Sequence, residues 1–486
     1  MRANKTFSGG YHFKFEGYPR AEVVEMEIPS TVIIPLKQGC GNEVKPVVKQ
    51  GDKVEAGQII GKDAEGIAAP VHASVSGEVV SLDQIKYPRG VVNSIVIESD
   101  GTKRWEPLAG RQADWTKLSV PQIEELLYTS GVTSLDSQGI PTNREGSPLS
   151  ARDVKHLIVN AVEADPYNLS LTVLLAEERL VQFLEGLMIL QKMMPGAKIH
   201  LAVNSNRKEL LAQFDELTRE NQLLELYPLS PKYPQGNDEV LMKAILGGNY
   251  ANASAASVVL TVQTVLQARD AVVDGKPLIE RMVALSGPGW EHNLHLKVRV
   301  GTPIQSITAK YLKKTGLQRL VPNNLLTNVA ISDLLPVDRT FDNLNAIPEN
   351  TNRALFSFLR LGAKKSSYSK AFLSAALPML EKTCDTNVHG EARACIFCGY
   401  CEEVCPVEII PHLLDKYVKS NIIDEQLIRY GIFSCVECNL CSYVCPSKIH
   451  LAWNIKAGQQ MLIENEFKQP QPAQCGKDAF AFHFAG

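Results

Sequence analysis

The residues in this chain best suited to chemistry are two runs of cysteines, Cys395, Cys398, Cys401, Cys405 and then Cys435, Cys438, Cys441, Cys445. Each run is closed by a proline, Pro406 and Pro446. Three thiolates spaced by two residues on a tight turn can wrap one face of an iron–sulfide cube, and the fourth, just before a chain-breaking proline, is free to reach a second cube. The spacing predicts two [4Fe–4S] clusters with crossed wiring. Cys395, Cys398, Cys401 and Cys445 would hold one, and Cys435, Cys438, Cys441 and Cys405 the other. Zinc is the competing occupant, but zinc sites take paired C-x2-C ligands rather than this repeated run of four. A disulfide framework fits less well still, because eight of the eleven cysteines crowd into one short part of a long chain.

The elements that must position these thiols are helical. Between Cys405 and Cys435, Leu413, Leu414, Tyr417 and Val418 fall on one helical face, and Asp424 to Tyr430 form a second short helix that Gly431 can end in a left-handed conformation. This predicts an all-α ferredoxin, with a βαββαβ ferredoxin as the runner-up. Gly399 and Asn439 are expected to let backbone amides face sulfur, and Tyr400, Tyr443 and Ile396 to shield the clusters from water. Cys40, Cys384 and Cys475 read as thiols outside the cluster sets, and Lys364-Lys365 as a solvated basic pair.

At 486 residues the chain exceeds what one core supports, so several domains are expected. A net charge of −3 argues against a nucleic-acid binder. Hydrophobic content of 45% and aromatic content of 7% are ordinary for globular domains. Met1 to Phe15 has no continuous apolar run of the signal-peptide kind, and Ala255 to Leu266, interrupted by Gln263, is too short to span a bilayer. The expected location is cytoplasmic, with membrane attachment through partners, and reduced thiolates suit that compartment.

From Val32 to Ile97 apolar and polar residues alternate between glycine turns, which predicts short antiparallel strands. The segments 46–61 and 69–80 resemble the two halves of a lipoyl-type barrel-sandwich hybrid. The tip between them reads Glu65-Gly66-Ile67-Ala68-Ala69, with Lys62 too early to serve as a carrier lysine, and His72 reads as a packed strand residue. From Val154 the pattern turns to strand, helix and strand: 157–160, a long helical run from about Ser170 to Met194, and 198–203. A helix around 239–246 and a strand at 257–262 follow, which predicts a parallel α/β layer. Strands return over 282–300 about a Gly287-Pro288-Gly289 turn, and 352–380 reads as a helical connector.

In this order the parts resemble the C subunit of the Rnf electron-transport complex. The resemblance is carried by Thr6-Phe7-Ser8-Gly9-Gly10-Tyr11-His12, the barrel segments, Tyr233-Pro234-Gln235-Gly236, Pro277-Leu278-Ile279-Glu280-Arg281, Val300-Gly301-Thr302-Pro303-Ile304 and both cysteine runs. Arg319-Leu320-Val321, Leu325-Leu326-Thr327 and Phe356 to Gly362 look instead like the A subunit of the sodium-pumping NADH:quinone reductase. The implied fold is multidomain α/β plus β. Residues 1–105 form a barrel-sandwich hybrid with an N-terminal extension, and 106–280 a Rossmann-like α/β domain of the FMN/NADH-binding type. A β-grasp-like domain spans 281–350 and a helical connector 351–383. A helical dicluster ferredoxin follows at 384–465, then a C-terminal tail at 466–486.

The resemblance also implies NADH oxidation on FMN and one-electron transfer through the clusters. The family's flavin loop is rich in glycines that let backbone N–H groups approach phosphate. Here the corresponding run, Ser134 to Thr142, keeps only Gly139 of four glycines and carries Asp136 where a phosphate would lie. Two unit charges at about 4 Å repel by about 4 kcal/mol at an effective dielectric near 20. The acidic segment survives as Asn160-Ala161-Val162-Glu163-Ala164-Asp165-Pro166, in which Glu163 and Asp165 are the candidate cofactor residues, or else caps for the helix that follows.

The leading expectation is therefore an iron–sulfur relay subunit, without FMN, on the cytoplasmic face of a membrane-bound Rnf/Nqr-type complex. Its partners are the membrane and redox subunits, with NADH, ferredoxin or quinone reached through them. The alternatives are a catalytic NADH-oxidising FMN subunit and a structural docking module with redox-inert clusters.

Overall fold

The computed structural model describes residues 7–38, 43–63, 68–88, 90–132, 154–220, 224–247, 256–350, 362–365, 367–368, 373–377, 380–387 and 391–465. After a strap over residues 7–22, strand β1 (Val23–Glu25) joins a sheet formed much later in the chain. The barrel sandwich follows: β2 (Thr31–Pro35), β3 (Lys45–Pro46), β4 (Lys53–Val54), β5 (Ile59–Lys62), β6 (Val71–His72), β7 (Gly77–Tyr87) and β8 (Gly90–Ser99). One sheet runs β2-β8-β7-β4 and the other β3-β5-β6, with every pairing antiparallel. Period-two alternation buries Val32 and Ile34 of β2 and Ile95 and Ile97 of β8 in a shared core with Ile60 and Val79. The far end of the β7–β8 hairpin carries Ile85 and Tyr87 into the core of a neighbouring domain. His72 is buried, with Nε2 2.8 Å from the Thr129 carbonyl, and burial lowers its pKa to about 4. The hairpin tip at 64–67 lies outside the described residues.

The α/β layer contains α1 (Val120–Thr129), β9 (His156–Ala161), α2 (Leu171–Leu174), α3 (Arg179–Met193), β10 (Lys198–Asn204), α4 (Lys208–Glu220), β11 (Leu224–Leu229), α5 (Asp238–Leu246), β12 (Ser257–Thr261) and α6 (Val262–Arg269). Its four strands are all parallel, in the order β11-β10-β9-β12. The strands read as continuous apolar runs because helices cover both faces. Leu157, Val159, Leu201 and Val203 face the core with α3 and α6, whereas Ile158 and Ala202 face α5. The helical run expected over 170–194 is two helices, because Glu177 between them adopts φ 55 and breaks the hydrogen-bond ladder. Helix α4 and strand β11 complete a second βαβ unit that the sequence reading did not resolve.

The third unit is a mixed sheet of β13 (Glu280–Ser286), β14 (His295–Arg299), β15 (Gln318–Pro322) and β16 (Asn343–Pro348), with α7 (Ile304–Tyr311) packed on it. It extends well past the expected 282–300 strands. The order is β1-β14-β13-β16-β15: β13 pairs antiparallel with β14 and parallel with β16, and β16 pairs antiparallel with β15. Fully buried Arg281 donates through Nε and Nη2 to the Phe341 carbonyl and through Nη2 to the Asp342 carboxylate at 2.6 Å. Of the expected connector, α8 (Leu373–Ala376) is the helix among the described residues, and most of 352–380 lies outside them.

The cysteine region is helical: α9 (Tyr400–Glu403), α10 (Pro411–Lys419), α11 (Glu425–Arg429), α12 (Leu440–Val444) and α13 (Leu451–Glu464), with no strand among the described residues 391–465. Pro411 opens α10, Asp424 caps α11 by accepting from the Gln426 amide at 2.9 Å, and Gly431 follows at φ 74. Leu414 and Val418 of α10 pack on Ile455 and Leu462 of α13.

Candidate iron–sulfur site

The two cysteine runs fold as near-copies of one another, which backbone conformation makes plain. Phe397 and Glu437 hold φ 52 and 54, Gly399 and Asn439 hold 75 and 61, and Glu408 and Lys448 hold 57 and 58. Each C-x2-C-x2-C loop therefore turns through left-handed residues at the same places before entering α9 or α12. These two short helices pack against each other and bring the runs together.

Cys395, Cys398, Cys401 and Cys445 line one cavity, together with Ile396, Phe397, His412 and Ile449. Cys401 feels the charges of Cys398 and Cys445, and burial pushes its thiol up to about 11. Around Cys438 the interacting thiols are instead Cys435 and Cys405, and the same pair acts on Cys441. Cys405 and Cys435 also share one apolar cluster. The fourth cysteine of each run thus stands with the first three of the other.

Burial also drives the Cys405, Cys438 and Cys441 thiols above their ordinary pKa, so as thiolates they call for a cationic partner. Backbone amides are already turned to the sulfurs. Those of Val407, Ile409 and Glu408 favour the Cys405 thiolate, that of Leu440 favours Cys438, and Phe397 N–H donates to Cys395 Sγ at 3.4 Å. Such N–H···S bonds stabilise thiolate-bound iron. Among the described residues no three His, Cys, Asp or Glu side chains converge as ligands of a single metal ion. The donor set, all thiols around a cavity, fits an iron–sulfide cube.

The two sets differ in surroundings. Cys398 is exposed, and Ile396 and Phe397 beside it are 65% and 68% exposed, so Ile396 lines the first cavity without screening it from water. Tyr443 and Tyr400 do pack inward, in an apolar cluster with Tyr233, Val404 and Cys438. The second run is tied to the rest of the protein. Asn439 Nδ2 donates to the Leu326 carbonyl at 2.8 Å, and the Tyr233 hydroxyl donates to the Cys438 carbonyl at 2.6 Å.

The N-terminal strap fills the remaining contact. Gly10 N–H donates to the Val404 carbonyl, and Tyr11 and Tyr233 exchange backbone hydrogen bonds. A side chain at Gly9 would collide with the Val404 backbone at 2.7 Å. Behind the strap, Phe13 lies edge-on to Tyr443 and Tyr233. Sequence reasoning missed this role for the strap and for Tyr233. The one signal was the alternation Tyr11, Phe13, Phe15, whose partners lie hundreds of residues away.

Of the candidate nucleotide residues, Glu163 and Asp165 are both engaged by neighbouring groups. Glu163 pairs through both carboxylate oxygens with Arg207, at 2.8 and 3.0 Å, and accepts the Leu171 amide that opens α2. It works as a helix cap. The Asp165 side chain bonds Asn324, which also bonds Tyr233, so it points into the network above Cys438, and desolvation raises its pKa to about 7. Gly139, Asp136 and the rest of the glycine-poor run lie outside the described residues. Of the other cysteines, Cys384 is buried beside Tyr167, and Cys40 and Cys475 lie outside the described residues.

A barrel sandwich, a parallel α/β layer and a helical domain with two thiol quartets define a multidomain iron–sulfur protein. Three family models match in the same order: the RnfC barrel sandwich hybrid domain over 5–102, the Nuo51 FMN-binding domain over 127–270 and the 4Fe-4S dicluster domain over 392–449. The chain is similar to the C subunits of Rnf-type complexes along most of its length. It is 26% identical to the C subunit of the proton-translocating ferredoxin:NAD(+) oxidoreductase complex of Clostridium ljungdahlii, covering 88% of each chain. The C subunit of the Na(+)-translocating ferredoxin:NAD(+) oxidoreductase complex of Acetobacterium woodii is 25% identical over 86% of this chain and 89% of its own. The C subunit of the ion-translocating oxidoreductase complex of Pseudomonas aeruginosa is 28% identical over 82% of this chain and 48% of its own, so this chain spans about half of that relative.

Proposed function

We propose that this chain is the peripheral iron–sulfur electron-relay subunit of a membrane-bound Rnf/Nqr-type ion-translocating oxidoreductase complex. The observation that carries the reading is the grouping of Cys395, Cys398, Cys401 and Cys445 about one cavity, with Cys405 standing among Cys435, Cys438 and Cys441. These are the residues that would hold two [4Fe–4S] clusters, which when bound exchange single electrons. The chain supplies amide donors to the sulfurs, a dry wall of Tyr233, Tyr443 and Val404 behind the second set, and a rigid helical pair that keeps the two sets adjacent. The relatives' names support partners among the membrane and redox subunits of such a complex, with NADH, ferredoxin or quinone reached through it. On this reading the subunit lies on the cytoplasmic face of the complex and ion movement belongs to its membrane partners, a place the relatives' names support; among the described residues no helix is long and apolar enough to cross a membrane.

The strand order β14-β13-β16-β15 with α7 across it supports the β-grasp reading of 281–350, and the order β11-β10-β9-β12 supports a Rossmann-like body over 106–280. A second reading, an NADH-oxidising FMN subunit, is favoured by the FMN-binding family match over 127–270. The engagement of Glu163 with Arg207 and Leu171 weighs against it. Anaerobically purified protein separates the two. The relay reading expects about eight irons per chain, two one-electron signals in potentiometric electron paramagnetic resonance and no flavin absorbance. Flavin absorbance with NADH-driven dye reduction would establish the second reading, and redox-inert clusters a structural docking module.

A further inference from the structure

The near-copy relationship of the two thiol loops provides an internal control for what each loop is built to do. At the matched positions the second loop is closed off. Glu437 pairs with Lys456 at 2.6 Å, and Asn439 is bonded to Leu326. In the first loop the same two positions hold Phe397, turned outward and braced edge-on against His412, and Gly399, around which a side chain would meet nothing within 4 Å. A large exposed aromatic next to an exposed cysteine is costly in water, and here the backbone conformation is shared with a residue that is paired and polar.

Charge differs in the same sense. Where the second set has Glu408 acting on Cys405, the first has Lys448 acting on Cys445. Lys365 and Arg393 lie close enough to Lys448 for their charges to interact, and neither Arg393 nor Lys448 has an ion pair among the described residues. Arg393 is exposed and fixed to the cavity rim, its backbone N–H donating to the Ser447 carbonyl at 2.9 Å. An apolar pair thus stands beside Arg393 and Lys448, a surface complementary to carboxylates around an apolar centre.

We propose that the mouth of the first thiol set is the docking face for an acidic electron-carrier protein, seated on Ile396 and Phe397 with its carboxylates toward Arg393 and Lys448. This rests on the relay reading above. In the transfer it serves, the carrier gains one electron and the reduced subunit loses one, or the reverse, with no bond made or broken. The buried second set faces the body of the protein, so the subunit exchanges electrons with soluble carriers at one end alone.

The test uses the full chain with its clusters and, as probe, an acidic plant-type [2Fe–2S] ferredoxin, titrated calorimetrically at low and high salt. Binding at low salt that weakens as salt rises is expected. Phe397→Glu and the Arg393→Glu/Lys448→Glu pair should each weaken it about tenfold, and Lys208→Glu on α4 of the α/β layer should not. Cluster signals in paramagnetic resonance are read on every sample. If Phe397→Glu loses them, Arg393→Glu alone, outside the thiol loop, carries the test. The proposal is overturned if cluster-loaded wild type does not bind the probe, if the charge reversals leave affinity unchanged with clusters in place, or if ferredoxin with neutralised carboxylates binds more tightly. Wild type without clusters would refute the relay reading instead, a result the iron signals report separately.

Discussion

The hydroxyl of Tyr233, on a loop of the α/β layer, donates a 2.6 Å hydrogen bond to the carbonyl of Cys438, in the second thiol loop. Two units far apart in sequence therefore meet at the backbone of a proposed cluster ligand. Tyr233 is buried among Val404, Leu440 and Tyr443, and the strap and Asn324 also contact it. Removing the hydroxyl leaves the Cys438 carbonyl without that donor in a dry environment. Tyr233→Phe is expected to cost about 1–2 kcal/mol in chemical denaturation. It should also shift the resonance signal and potential of one cluster while the other is unchanged. Equal movement of both signals would count against a local role.

Crossed wiring gives a second expectation. Cys405→Ser lies in the first run but should remove the cluster of the second, the buried one, whereas Cys445→Ser should remove the solvent-facing one. Each variant should retain about four irons per chain. Mössbauer and paramagnetic resonance spectra identify which signal survives. Chelating all iron leaves buried thiols clustered without cations, and limited proteolysis should then cut within 391–465 while the barrel core stays protected.

Packing in the cysteine domain depends on close approach of α13 to its neighbours. A side-chain carbon at Gly458 would fall within 3.0 Å of the Val418 and Ile432 side chains. Gly458→Val should overpack this contact and cost about 1–3 kcal/mol, measured as a lower denaturation midpoint of the cluster-loaded protein.

Stability should respond to pH at two buried groups. Burial raises Asp165 to about 7, so the folded state holds its proton more tightly than the unfolded chain does. Stability from this group is full at acid pH and is lost as pH rises from about 4 through 7. Asp165→Asn is therefore expected to stabilise the protein at pH 8 and to have little effect near pH 4. His72 behaves oppositely, because burial lowers it to about 4. Its contribution is intact above about 6.5 and is lost as pH falls through that value toward 4. His72→Gln should flatten the acid limb of the thermal stability profile, and an unchanged limb would exclude His72 as a contributor.

Local pattern made much of the fold readable in the chain. The antiparallel barrel followed from alternation such as Val32 and Ile34, and the parallel layer from the apolar runs 157–160 and 198–203. The helix over α10 followed from the spacing of Leu414 and Val418. What failed depended on partners distant in sequence. Ile396 looks like a shield by hydrophobicity, yet its loop projects from the surface. Glu163 looks like a cofactor acid until Arg207 is seen beside it.

The sequence by itself determined the thiol chemistry, since ligand identity and spacing are local covalent properties, and with it the order of the domains. Only the tertiary structure decided which quartet faces water and which acids are already neutralised. Those outcomes depend on desolvation and on contacts between segments such as Tyr11, Tyr233 and Cys438, whose proximity no local pattern encodes.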